Sequence, residues 1–136
     1  QFLVFKYNEH EIELIRKIGN EMGVYETIIK TAQIYNYQDK ASLIPTKKKH
    51  SRYLIKKGNV VKKNKIHNYC WQLWTKNVIT INGNLLPCCF DKDDQYILGN
   101  LNTDSLSSII KGDNYKKFSN QVLHNRKKID ICCNCN

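Results

Sequence analysis

Six cysteines stand at positions 70, 88, 89, 132, 133 and 135, and the first 69 residues contain none. Thiolates bind soft or borderline metals, and four of them on converging loops make a site for zinc or an iron-sulfur cluster. A disulfide scaffold spreads its cysteines along a small secreted chain. Here five of the six fall in the runs CC and CCNC, a crowding that favours ligation over stapling. They read as reduced thiols of a cytoplasmic protein.

Four ligands must come from six candidates. Adjacent residues on an extended strand point to opposite faces, so only one of Cys88 and Cys89 faces a given centre. Cys132 and Cys135 have the two-residue gap that brings both thiolates to one metal, and Cys133 is less well placed. The set that remains is Cys70, Cys88, Cys132 and Cys135. Cys89 and Cys133 are small thiols, either of which can substitute. The rival is a structural zinc module with the same four cysteines, or with His67 replacing one, since His67 and Cys70 share the two-residue gap. Zinc thiolate sites stabilise small domains by on the order of 10 kcal/mol in apparent terms.

The elements that must position these thiols start near Ile66. Val78 to Ile81 and Leu85 to Leu86 flank Asn82-Gly83, the strongest short-range hairpin signal, because both turn residues need positive φ. A two-residue turn there places Asn77 opposite Cys88, with Cys70 approaching the same end. LGNL, from Leu98 to Leu101, reads as a turn. Asp104 or Ser105 caps a short helix through Ile109 and Ile110 that Gly112 ends. A second helix is expected from about Asn114 to His124, with Tyr115, Phe118, Val122 and Leu123 on its apolar face. Trp71, Trp74, Phe90 and Tyr96 are taken as the hydrophobic wall of the site, and His10, His50 and His124 as isolated surface residues.

Upstream, FLVF at Phe2–Phe5 predicts a buried strand. Asn8 and Glu11 have capping-box spacing, and Ile12, Leu14, Ile15, Ile18 and Met22 form a helical stripe that Gly23 ends. ETIIKTAQI, Glu26 to Ile34, carries the β-branched content of a second strand. The β-α-β order implies a parallel pair with its crossover helix. Two strands and one helix cannot cover both faces of a parallel sheet, so this piece is expected to come from a larger α/β domain. From Tyr35 to Lys65 the chain turns polar around Pro45, a connector with at most one short strand near Tyr53–Ile55. The expectation is an α+β chain in three parts: residues 1–45, a basic connector 46–65, and a metal-centred module 66–136 with a β-hairpin and two or more short helices.

The formal net charge is +10, with much of the excess in KKKHSRYLIKKGNVVKKNK from Lys47 to Lys65. This run reads as a solvated connector. As an alternative it makes a nucleic-acid-binding zinc protein, which salt-dependent binding would support. No RNA-binding aromatic signature or helix-turn-helix pattern accompanies it, so nucleic acid is not the expected partner. Apolar runs are too short to span a bilayer, no signal peptide is visible, and no catalytic triad order or P-loop occurs. The start at Gln1 and the end one residue past a cysteine give the expectation of a fragment.

Cys70, twelve residues, Gly83, four residues and Cys88, then after a long gap Cys132, two residues and Cys135: this order resembles the SPASM domain, the auxiliary-cluster module at the C-terminus of many radical SAM enzymes. CWQLW, PCCFD, LGNL, SLSSII and the closing CCNC fall in the order of that family across residues 66–136. The β-α-β segment looks like the last part of the partial TIM barrel that precedes the module. The resemblance implies one auxiliary [4Fe-4S] cluster on Cys70, Cys88, Cys132 and Cys135, with zinc as a possible substitute. It implies a role in electron transfer or substrate positioning during modification of a peptide, protein or small substrate. Two features depart from the fuller pattern. Elaborated SPASM domains carry further cysteines and a second cluster, and the Cys-x3-Cys-x2-Cys triad that serves S-adenosylmethionine cleavage is absent from this sequence. The resemblance therefore assigns that cofactor, and the radical chemistry, to a parent enzyme whose barrel is the implied partner of this chain. The chain alone is expected to be inactive.

Overall fold

The structure, a computed structural model, describes residues 1–135. It is a small α+β arrangement of short sheets and several helices, divided into residues 1–65 and 66–135, each with its own core.

In the first unit β1 (Phe2–Val4) and β2 (Ile29–Thr31) pair in parallel, Phe2 opposite Ile29, on either side of α1 (Ile12–Glu21). This is the β-α-β that the apolar runs predict. The start of the helix differs from expectation. Asn8 does not cap it; its Oδ1 accepts the Phe5 N–H at 2.7 Å, and a 3-10 turn at Glu9–Glu11 leads into α1. Gly23 takes φ +67° just past the helix, where a Cβ would be strained. Only Ile12 and Gly19 of α1 are buried, while Leu14, Ile18 and Met22 of its apolar stripe lie exposed, Met22 at 74%.

The segment expected to hold at most one strand instead forms a hairpin of β3 (Tyr53–Lys56) and β4 (Asn59–Lys62). Its turn residues Lys57 and Gly58 both take positive φ, 49° and 80°, the geometry that matches the twist of paired strands. Tyr53 and Val60 enter the core beside Ala32, Ile34 and Ile44. The Tyr53 hydroxyl accepts the Ile34 N–H at 2.9 Å and so joins hairpin to upstream chain.

The second unit runs α2 (Trp71–Thr75), β5 (Val78–Ile79), β6 (Asn84–Leu86), β7 (Gly99–Asn100), α3 (Leu106–Lys111), α4 (Asp113–Asn125) and α5 (Asp130–Cys133). The three strands form one antiparallel sheet with β6 central. The hairpin register is shifted by one residue from expectation. Val78 lies opposite Leu86, so the loop holds three residues, Ile81-Asn82-Gly83, and only Gly83 has positive φ (79°). Thr80 accepts the Gly83 N–H at 2.9 Å and donates to Asn84 at 3.0 Å, closing a turn with an extra residue in place of the two-residue type. The predicted pairing of Asn77 with Cys88 is lost, because that ladder would place Asn77 opposite Pro87.

Within LGNL, read as a turn, Gly99–Asn100 form the third strand, and the chain turns only from Leu101. Asn100 Nδ2 donates to the Asn82 carbonyl at 2.9 Å and to Asn84 Oδ1 at 2.8 Å, clamping the hairpin loop. Gly99 lets α3 approach: a Cβ there would sit 2.7 Å from Ile109. The Ser105 hydroxyl accepts the Ser108 N–H at 3.1 Å and caps α3 as expected. On α4, Tyr115, Phe118 and Val122 are buried and close the core with Leu73, Leu85 and Cys132. Trp71 and Trp74, taken as wall residues, are exposed at 65% and 40%; in the single turn of α2 it is Leu73 that points inward. Among the described residues no helix is long and apolar enough to cross a membrane.

Candidate metal centre

Cys88 follows β6 and buried Pro87, where the strand leaves the core. The loop beyond it is held by Asp91, a buried carboxylate that accepts the N–H groups of Gln95 and Tyr96, both at 2.9 Å. Burial pushes the Cys88 thiol up, and the backbone N–H groups of Phe90 and Asp91 act against this by hydrogen bonding to it. Donors of this kind hydrogen-bond to the sulfur of a metal thiolate and orient it. Cys88 is half-buried and Cys89 exposed, so the adjacent pair does split between interior and solvent.

CCNC begins in α5, a single turn. Cys132 is buried in the hydrophobic core of the unit, and Cys133, one residue on, is exposed and donates from Sγ to the Asp130 carbonyl at 2.8 Å. The Cys135 N–H returns to the Cys132 carbonyl at 3.0 Å, so the chain folds back through the two-residue gap. Burial pushes the Cys132 thiol up to about 12, opposed by the guanidinium of Arg126 beside it, and further raised by Cys88 and Cys135. The thiols of Cys88, Cys132 and Cys135 thus lie within electrostatic reach of one another.

Cys70 packs against the same core cluster as Cys132. Its approach is set by Asn68 and Arg126. Asn68 Nδ2 donates to the His124 carbonyl at 2.7 Å, and its Oδ1 accepts the Arg126 N–H at 3.2 Å. Arg126 Nη1 reaches back to the carbonyls of Tyr69 and, at 3.4 Å, His67. His67 is exposed and enters this network through its carbonyl. Among the described residues no three Cys, His, Asp or Glu side chains converge on a single-ion site.

Arg126 and Asp91 were not singled out from the sequence. Arg126 is the one arginine between residues 66 and 136, a segment otherwise supplied with lysine, which was a signal available for it. Asp91 carried none beyond its place in PCCFD.

The donor set is made of soft thiols, carries backbone N–H groups aimed at one sulfur, and has a buried cation beside another. An anionic metal thiolate centre fits all three. Comparison with known proteins decides its class: the profile of the SPASM domain, an iron-sulfur cluster-binding domain, matches residues 70–136. This part of the chain belongs to the SPASM family. The SPASM match begins at Cys70 and encloses every cysteine of the sequence. A protein of Niallia circulans named S-adenosyl-L-methionine-dependent 2-deoxy-scyllo-inosamine dehydrogenase is 30% identical over 79 residues, which is 57% of this chain. The chain spans about a third of that relative, 32% of its length. No solved structure matches.

Proposed function

We propose that the SPASM domain of this chain holds one auxiliary [4Fe-4S] cluster on Cys70, Cys88, Cys132 and Cys135, and that the chain is the C-terminal part of a radical SAM oxidoreductase. The observation that carries the reading is the SPASM match over residues 70–136, within which Cys70 packs against the core cluster that contains Cys132. When bound, the cluster supplies one-electron redox chemistry. Four cysteine ligands saturate the irons, which favours electron transfer over direct ligation of a substrate.

The relative's name describes a dehydrogenase that depends on S-adenosyl-L-methionine, and an oxidation of that kind needs somewhere for electrons to go. The reading for this chain is an oxidoreductase partner domain of the same sort, acting on a peptide, protein or small substrate. S-adenosylmethionine cleavage is assigned to a barrel outside these residues. The parallel β1–β2 pair, with Leu14 and Ile18 of α1 and Met22 just past it exposed, supports placing the first unit at the end of such a barrel, because a parallel pair with one helix leaves faces that further strands and helices must cover. A cytoplasmic setting follows from the cluster chemistry, since thiols stay reduced there.

Anaerobic reconstitution with excess iron, sulfide and zinc tests the reading. About four irons and four sulfides per chain are expected, the stoichiometry of one such cluster. Uptake is lost when Cys70, Cys88, Cys132 or Cys135 is changed to serine and kept in Cys89→Ser and Cys133→Ser. Tight binding of one zinc without sulfide would overturn it in favour of a structural zinc module.

A further inference from the structure

The side chain of Arg126 is 6% exposed, and among the described residues no carboxylate pairs with it. A buried, unpaired charge is costly, and folded proteins place an opposite charge or a ligand beside it. Its hydrogen bonds are equally incomplete. Nη1 donates to the carbonyls of Tyr69 and His67, directly before Cys70, while buried Nε has no acceptor. The guanidinium also lies beside the thiol of Cys132. One side chain therefore touches the approach to Cys70 and the Cys132 thiol, with a positive charge and an N–H still to be satisfied.

A [4Fe-4S] core on four thiolates is formally dianionic when oxidised and trianionic after taking up one electron. A cation in a low-dielectric setting stabilises the trianion more than the dianion. An N–H donor to sulfur acts in the same direction, because it draws charge from the sulfurs as they become more basic on reduction.

Resting on the cluster reading above, we propose that Arg126 is the counter-charge of the bound cluster, that its Nε–H donates to a cluster or cysteine sulfur, and that it raises the cluster's reduction potential. The role is one of tuning and positioning. Arginine is suited to it because its fork binds the backbone with one nitrogen and leaves another for the sulfur, which a lysine ammonium on a flexible stem cannot reproduce.

The test uses the full chain, reconstituted anaerobically with iron and sulfide and reduced with dithionite. With [15N]arginine incorporated, pulsed EPR of the reduced cluster is expected to show a 15N coupling that disappears in Arg126→Lys. In a mediated potentiometric titration Arg126→Met is expected to shift the oxidised-to-reduced ratio at least tenfold toward oxidised at fixed potential, a fall of about 59 mV for one electron. Arg126→Lys, which keeps the charge, should recover part of that shift. A fully loaded wild-type cluster without 15N coupling, or Arg126→Met with an unchanged midpoint, overturns the proposal. If Arg126→Met takes up no cluster, the wild-type coupling alone decides. Failure of the unaltered chain to take up iron and sulfide would instead overturn the cluster reading, and this proposal with it.

Discussion

The carboxylate of Asp91 accepts the backbone N–H of Tyr96 at 2.9 Å while buried three residues after Cys88. The same carboxylate takes the Gln95 N–H, so the loop leaving the candidate ligand is ordered around one side chain. Asp91→Ala leaves two amides without acceptors. The expected cost is about 2 kcal/mol, read as a lower denaturant midpoint of the apo chain. Slower iron and sulfide uptake should accompany it, since the N–H groups of Phe90 and Asp91 at Cys88 lose their support.

Gly83 is required twice over. Its φ of 79° disfavours a side chain, and a Cβ would come 2.5 Å from Asn102 Nδ2, which is itself bonded to the Asn82 carbonyl. Gly83→Ala should cost about 1–2 kcal/mol. Part of that penalty is steric, so in an Asn102→Ala background Gly83→Ala should cost less than it does alone. Equal costs in the two backgrounds, measured by chemical denaturation, would assign the whole effect to the backbone.

Ser119 lies on α4 with its hydroxyl buried and unbonded among the described residues. Ser119→Ala removes a desolvated polar group and improves helix propensity. A gain of about 1 kcal/mol is expected, visible as a rise in melting temperature of the apo chain. No change would mean that a water or ligand group serves this hydroxyl in solution.

Tyr96 donates its hydroxyl to Asp130 Oδ1 at 2.6 Å, and the carboxylate pushes the phenol up to about 12. An unfolded tyrosine ionises near 10. Below that pH the phenol is neutral in both states and the bond is fully present. As pH rises from about 10 toward 12 the unfolded chain loses its proton first, so the stability contributed by this bond falls across that window. Tyr96→Phe should be the less stable variant at pH 8, and its difference from wild type should shrink by pH 11, as followed by urea denaturation of the apo chain.

Much of the second unit was legible because its signals are local. Ser105 and Gly112 bound α3, and the apolar spacing of Tyr115, Phe118 and Val122 marks the inner face of α4. Cys88 and Cys89 differ in exposure although neither lies on the extended strand expected for them, since β6 ends at Leu86 and both sit in the bend and turn beyond it, while Cys132 and Cys133 differ as neighbours on one helical turn. One miss was decided by a distant partner. The hairpin slipped by one residue because Asn100 and Asn102, contributed by β7 and the residues after it, hold the loop carbonyl of Asn82. Asn8 left its helix for Phe5, and Lys57–Gly58 made a turn without the asparagine that marks one.

The sequence by itself determined which chemistry the chain can hold, because thiol identity and spacing are covalent facts: two cysteines separated by two residues can reach one centre whatever surrounds them. It also determined the parallel β-α-β, whose pattern is written in runs of adjacent residues. Only the tertiary structure decided what stands around the thiols. Arg126 meets the carbonyls of His67 and Tyr69 nearly sixty residues away in the chain, and Trp71 faces outward because the core had room for Leu73 instead. Burial and hydrogen-bond partners are properties of the packed molecule, summed over contacts that no local pattern contains, and they set the charge and polarity around the sulfurs.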